Sequence, residues 1–471
     1  MTSKIMKVTQ VAIRPTESSE AAGRPSLTPE LLAASGARYS RNNEGLESIL
    51  SKIDPNNLDK SVDSIFRMLD YGHQSIADMV PVALFMDGIS VWLAYYVWTL
   101  CPTAGGQESS TRYIKLSPDA IIDPNLLGIP EEKQDKWRQL MNDSFDAYHK
   151  SLAYWEEIAA ETPEVARIPR ALLEDESDRA ARQVARMQRN YGFDRARNFL
   201  PVAVSTNMMM IMSARGWVQL CQHLLSHPLP EAKALGNAIR EELQLSAPRM
   251  LKHAEAKDSL VKGIQREFEA VRATAAGSTP SYLSGVGECP PQAQLEVHLP
   301  PDLANASFTD DLEFHDNRYA WLGPQLRRTM VRFRWDAVAF AELRDLNRHR
   351  TGNKHCPFEP VGFYAALDQL PAGTTTSPIE ELSALGTGAS AHAHKLLAEG
   401  DNAYVYWTLL GTQFSFEHLT TADKFIYEAE LRTGTGAHFR YARHLHDMLV
   451  LWYEKFPDTR EYVLEGSAEP E

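Results

Sequence analysis

Residues 341–350, Ala-Glu-Leu-Arg-Asp-Leu-Asn-Arg-His-Arg, gather four ionisable bases in ten positions. They close a helix-like run that begins near Val331. On a helix, Arg344 and Arg348 are four residues apart and share one face, while Arg348, His349 and Arg350 crowd the C-terminal end. Cationic groups there suit the helix dipole. Planar guanidinium forks aimed one way also suit a diphosphate. Spacing by itself leaves open a solvated helix end and an anion site.

Two earlier stretches carry compatible groups. The loop Cys101-Pro-Thr-Ala-Gly-Gly106 runs into Gln107-Glu-Ser-Ser-Thr-Arg-Tyr113. Gly105 and Gly106 would let backbone approach a phosphate closely, or simply form a loop. Arg112, and Arg197 within Arg195-Ala-Arg-Asn-Phe-Leu-Pro201, are further forks that could equally sit on the surface. No Gly-x-Gly-x-x-Gly follows a strand-like run, so a Rossmann flavin site is not indicated.

A chain of 471 residues allows two or three domains, and 44% hydrophobic with 23% charged residues is the composition of packed cores. A net charge of -14 argues against a protein that coats nucleic acid, so any anion site must be a local basic pocket. Cys101, Cys221, Cys289 and Cys356 stand far apart, with neither metal-ligand nor redox spacing. A reduced, cytoplasmic setting is expected, with no metal. Residues 1–20 lack the apolar core of a signal peptide. Residues 80–100 match a membrane span in length, but contain Asp87, Pro81 and Gly88. They read as a strand running into a buried helix.

These elements follow in order along the chain. Residues 7–14 alternate like a strand, and residues 31–40 and 57–69 read as helices. Residues 131–161 and 169–189 are long, charged and helical. Residues 195–201 open a Met-rich helical run to about 225, whose Met208, Met209, Met210 and Met212 belong to a core; residues 230–255 form a further helix. Residues 274–306, rich in Pro, Gly, Ser and Ala, read as a linker. After them the plan restarts. Residues 329–336 followed by a helix parallel residues 81–87 followed by a helix. Residues 409–432 and 436–451 parallel 200–225 and 230–251, which points to an ancient duplication of a large unit.

These residues resemble the flavin-dependent thymidylate synthases. That family carries Arg-His-Arg followed, in one motif, by Glu, Ser and a terminal Arg-Tyr. Here the motif is split. The second copy has Arg348-His349-Arg350 but continues without the Ser or Arg-Tyr. The first has Leu100-Cys101-Pro102 instead, then Glu108, Ser110 and Arg112-Tyr113 intact. Other landmarks divide likewise. The first copy keeps Ala37-Arg38-Tyr39-Ser40, the turn Gly72-His73-Gln74-Ser75, and Ala196-Arg197 with Leu200-Pro201; Arg215 matches the arginine of an Asn-x-Arg, with Ser213 for Asn. The second keeps Leu431-Arg432, where the first has Leu225-Ser226. Two departures stand out: Asp78-Met79 replaces Glu-His, and Asp345 replaces a nucleotide-contacting glutamine.

The resemblance implies a helix-rich α+β protein of two tandem thymidylate-synthase-like domains. The expected boundaries are 1–262 (helical insertion 120–190), a linker 263–310, and 311–471. It also implies FAD-dependent C5 methylation of a pyrimidine nucleotide, by default dUMP, with methylenetetrahydrofolate and NADPH as co-substrates. Arg432 would polarise the uracil ring near N3–O2, a contribution of the oxyanion-hole kind, and Ser110 would accompany it in catalysis. Glu108, Ser110, Arg112, Arg197, Asp345, Arg348 and Arg432 would contact the nucleotide. His73, Ser75, Arg215, Arg348, His349 and Arg350 would contact the flavin, although Glu108 could merely cap a helix and His73 merely brace its turn. Alternatives are UMP as substrate, a hydroxymethyl product, or a non-catalytic flavin- or nucleotide-binding protein. Because family sites are shared between subunits, the chain reads as two fused subunits keeping one composite site, expected to pair as a homodimer (a pseudo-tetramer).

Overall fold

Val331, Phe333 and Trp335 are buried, whereas Met330, Arg332 and Arg334 between them are not. A period of two makes a strand, so Met330–Ala339 is β-structure and the helix-like run expected from 331 begins only at Phe340. The same correction applies to the Met-rich run. Met208, Met210 and Met212 are buried and alternate with half-buried Met209 and exposed Ile211, so Ser205–Ser213 is a strand with its methionines in the core.

The computed structural model describes residues 5–41, 45–54, 56–67, 74–112, 114–284, 288–374 and 377–467. His73 and Tyr113 lie outside the described residues. The fold is α+β, with two small antiparallel sheets. The strands are β1 (Lys7–Val11), β2 (Pro81–Ser90), β3 (Gly105–Glu108), β4 (Ser205–Ser213), β5 (Ala293–His298), β6 (Met330–Ala339), β7 (Asn353–His355), β8 (Gly362–Phe363) and β9 (Thr412–Thr421). One sheet has the order β1-β2-β4-β3; the other has β5-β6-β9-β7, with β8 also paired to β9. As expected, residues 81–100 are a strand continuing into the buried helix Val91–Leu100. Among the described residues no helix is long and apolar enough to cross a membrane.

The chain divides into two compact units. The first is Met1–Ser109, Asp119–Pro130 and Ala203–Phe268; the second is Ser110–Pro118, Glu131–Val202 and Glu269–Glu471. This division cuts the chain differently from the sequence boundaries. The helix Asp258–Gly277 runs through position 262, and β5 lies within the expected linker. The long helix Glu131–Glu161 belongs to the second unit because Trp137 Nε1 donates to Tyr406 O at 2.8 Å and Lys133 Nζ to Asp401 Oδ2 at 2.8 Å. Its buried residues, Trp137, Met141, Phe145, Tyr148, Leu152 and Trp155, recur at three- and four-residue steps down one stripe.

Each unit repeats one plan. In the first, Ala214 N–H donates to Val80 O at 2.8 Å and Val91 N–H to Val204 O at 3.0 Å. In the second, Ala422 N–H donates to Thr329 O at 2.9 Å and Ala341 N–H to Leu410 O at 2.8 Å. The central strand of each carries a register shift near its end, at Asp87/Ile89 and at Trp335/Val338. The strand-to-helix junction is then satisfied by a buried carboxylate. Glu231 accepts from Ser90 N and Oγ at 2.7 Å each, and Glu342 accepts from Ala339 N at 3.3 Å and meets His444 Nε2 at 2.9 Å.

Phe363 wedges the second unit together. Its ring lies 5.5 Å from that of Phe199 and fills the space over Gly386, in the helix Pro378–Glu399, so that a Cβ there would fall 2.1 Å from the ring. Gly386→Ala gains about 1 kcal/mol of helix propensity, but overpacking an enclosed ring typically costs ~1–3 kcal/mol. The overlap wins, because Phe363 is fully buried. Chemical denaturation of Gly386→Ala should give a lower midpoint than wild type; a higher one would show that the ring can withdraw.

Candidate functional site

Four segments of the second unit converge. The helix Asp178–Ala196 ends by presenting Asp194 and Arg195, and a tight turn, Arg197–Phe199, follows. Backbone bonds staple that turn to the approach of β9: Leu410 N–H donates to Leu200 O and Gly411 N–H to Asn198 O, each at 2.7 Å. The short helix Phe340–Leu346 brings Arg344 and Asp345, and Asn347 caps it. Arg348, His349 and Arg350 therefore lie past the helix end and do not share its face, which corrects the helical spacing expected for Arg344 and Arg348. The turn closes at Gly352, whose φ of +64° only glycine adopts readily. The helix Ala422–Thr433 supplies Arg432 from its last turn, and residues 110–112 complete the set.

At the centre is the Asp345 carboxylate, 5% exposed. Arg197 Nη2 donates to its Oδ2 at 3.2 Å, and Arg348 Nε lies 3.8 Å from its Oδ1. Burial alone would raise this carboxyl, but Arg197, Arg348, Arg432 and Arg112 outweigh it and hold the pKa well below the usual carboxylate range. Arg112 is itself chelated: Nε and Nη2 donate to Asp194 Oδ1 and Oδ2 at 2.7 and 2.8 Å, and Nη1 to Gly436 O at 3.0 Å. Four guanidinium groups thus face two carboxylates, an excess of two positive charges. Arg344 adds a bond from Nη1 to Thr111 Oγ1 at 3.1 Å.

Both histidines here are neutral. Arg432 Nε donates to His349 Nε2 at 2.7 Å, which places the imidazole proton on Nδ1, and Arg432 Nη2 donates to Asp345 O at 2.9 Å. Burial, with Arg432 and other cations opposing Glu428, pushes the His349 pKa down to about 3. His438 accepts from Arg440 N–H through Nδ1 at 3.2 Å and donates through Nε2 to Asp194 O at 3.0 Å; burial and Arg197 hold its pKa well below normal. An imidazolium at either place would add charge to an already cationic centre.

The remaining expected residues fall as follows. Ser110 Oγ accepts from Arg112 N–H at 3.1 Å. Burial first, then Arg348, lowers the Arg350 pKa. Glu108 ends β3, and Ser75 is exposed in the turn Gln74–Met79; both belong to the first unit. Arg215, also there, pairs with Asp78 at 2.9 Å, the residue that departs from the family turn. Asp194, Thr111, Lys354 and His438 were missed by sequence reasoning. Asp194 precedes Arg195 in a basic stretch, so its position was visible but its partner, 82 residues away, was not. Lys354 Nζ donates to His349 O and carries no motif.

The sequence left open whether the split motif reassembles within a chain or between chains. Arg112 and Arg197 from the first half meet Asp345, Arg348 and Arg432 from the second inside one unit of one chain.

Residues 25–249 match the model of the family described as thymidylate synthase complementing protein. This bears out the resemblance to the flavin-dependent thymidylate synthases over that span. A relative from Thermoplasma acidophilum, UPF0159 protein Ta1429, is 27% identical over 237 residues, 46% of this chain. The chain spans about half, 47%, of that relative's length. A solved structure, a UMP/dUMP methylase PolB from Streptomyces cacaoi bound with 5-Br dUMP, aligns with TM-score 0.31 and 16% identity over 53% of this chain and 94% of that chain. A TM-score this low does not establish a shared fold.

The neutral histidine generates a pH prediction. Its folded pKa, about 3, lies below the ordinary 6.5, so its contribution to stability is complete above pH 6.5 and is lost as pH falls from there toward 3. His349→Gln keeps an acceptor for Arg432 without a titrating ring. Thermal unfolding between pH 7 and 5 should show a shallower loss of stability in this variant, by up to about 1.4 kcal/mol per pH unit. An unchanged slope would mean that His349 is charged in the folded protein.

Proposed function

We propose that this protein is an FAD-dependent pyrimidine-nucleotide C5 methylase, with dUMP as the default substrate and its phosphate held in the arginine centre of the second unit. One observation carries the reading: four arginines from both halves of a split family motif, of which only Arg348 is exposed, surround Asp345 with an excess of two positive charges. That excess matches a phosphate monoester, which carries about -1.5 to -2 at pH 7. The family match over residues 25–249 supports nucleotide C5 chemistry.

On this reading Arg197 and Arg348 bind the phosphate as the Asp345 carboxylate gives way, and Ser110 donates beside them. Arg112, held in place by Asp194 and Gly436, contributes its charge. Arg432 is fixed at Nε and Nη2, and among the described residues its Nη1 makes no hydrogen bond. Nη1 is therefore the group that would stabilise negative charge on the pyrimidine ring. The neutral His349 aims Arg432 without competing for an anion. For the flavin, Arg348 and Arg350 fit a diphosphate: Arg348 is 40% exposed, and its charge helps lower the pKa of Arg350, a repulsion that a bound diphosphate would relieve. Bound FAD would supply the redox and one-carbon relay, with NADPH and methylenetetrahydrofolate as its co-substrates. Asp345 also favours a second reading, in which a carboxylate in place of an amide selects UMP or a hydroxymethyl product.

Calorimetry with dUMP, UMP and deoxyuridine tests the phosphate assignment. Each charge-assisted bond contributes roughly 1.5–3 kcal/mol, so deoxyuridine should bind at least tenfold more weakly than dUMP, and added salt should weaken dUMP alone. Arg348→Ala should weaken both dUMP and FAD uptake, the latter read from flavin absorbance. Equal affinity for nucleoside and nucleotide would overturn the assignment.

A further inference from the structure

A cavity of about 160 Å³ in the second unit shares Arg112 with the nucleotide reading, which uses none of its other polar lining. Arg112, Arg167, Asn190, Asp194, Arg195 and Gln369 supply its polar lining. Both carboxylate oxygens of Asp194 are already taken by Arg112. Arg112 is thereby paired, and Arg167 Nη1 donates to Ser467 O at 2.6 Å.

Arg195 is the unusual member. Its side chain is 6% exposed, and its guanidinium lies 3.5 Å from the Tyr191 ring centroid and 4.2 Å from that of Phe439. Nη1 donates to Tyr191 O at 3.2 Å and Nη2 to Gln369 Oε1 at 3.0 Å, while the buried Nε–H has no partner. Among the described residues no carboxylate lies within ion-pair distance of it. Aromatic faces attract a cation, but they do not neutralise it, and a buried charge without a counter-ion is costly. Burial accordingly lowers the Arg195 pKa, with Asp194 and Asp368 opposing from a distance.

We propose that this cavity binds a small phosphoryl oxyanion, either free phosphate or the phosphate end of a small ester, with Arg195 as its principal donor. The donors come from separate segments: residue 167, the helix carrying Asn190 and Arg195, and Gln369. A tetrahedral oxyanion offers three oxygens to donors converging from several directions, whereas a carboxylate answers one fork. The volume admits a phosphoryl group with little attached to it. This site borders the nucleotide centre at Arg112 but does not depend on it.

The test is calorimetric titration of the full chain with inorganic phosphate, and separately with glycerol phosphate, at constant ionic strength. Working in protein carrying both Arg197→Ala and Arg348→Ala removes the nucleotide site, so failure of the two readings can be told apart. One saturating phosphate per chain is expected. Adding Arg195→Gln or Asn190→Asp should weaken it at least tenfold. Asn190 is half-buried, so Asn190→Asp decides the matter even where Arg195→Gln fails to fold. Tighter binding of phosphate than of its ester assigns free phosphate, and the reverse assigns an ester. No saturable binding, or binding that neither added variant weakens, would overturn the proposal.

Discussion

The Asp345 carboxylate, removed from water and ringed by arginines, is the constraint on which the second unit's site depends. A pair of unit charges 4 Å apart is worth about 4 kcal/mol at an effective dielectric of 20. Asp345 feels Arg197, Arg348, Arg432 and Arg112 together. Those partners come from four stretches far apart in sequence, so the electrostatics ties together what the backbone leaves separate. Burial first, and then the same field, sets its surroundings. His349 and His438 stay neutral, Asp194 is ionised against Arg112, and the two helix ends that face the centre, at Ala196 and Thr433, present the dipole sign that favours cations.

The repeated plan explains why the chain carries such a centre in its second unit. Both units run a central strand over a register shift into a helix, with matching backbone bonds at the junctions. What differs is the residues placed at the helix ends. The second unit has Arg348, His349 and Arg350 beyond its junction helix and Arg432 at the end of the next; the first has Leu100, Cys101 and Pro102, then Leu225 and Ser226. Burial pushes the Cys101 thiol up to about 12, so it offers neither a cation nor a thiolate. The plan supplies equivalent ledges in both units, and among the described residues the second unit's carry the arginines.

Much of this was legible from the chain. The strand continuing into a helix at 81–100 could be read because Pro81, Asp87 and Gly88 break a membrane pattern. The arginines could be named because their types and motif neighbours survive. Three features could not be read. Consecutive methionines mask a period of two, so β4 reads as helix until burial separates Met208 and Met210 from Ile211. β6 hides the same way behind a following helix of only seven residues. Counter-ions are invisible in sequence: nothing local to Asp194 announces Arg112, and the Arg197 partner of Asp345 lies 148 residues away. Nor does anything local to Trp137 announce its bond to Tyr406.

The central claim is that two half-motifs form one nucleotide site per chain. Titration of the full chain with dUMP, followed to saturation by calorimetry, tests it most directly. The account predicts a stoichiometry near one in wild type, with binding lost when Arg197→Ala and Arg348→Ala are combined. Two equivalent sites per chain would contradict it. So would undiminished binding in the double variant.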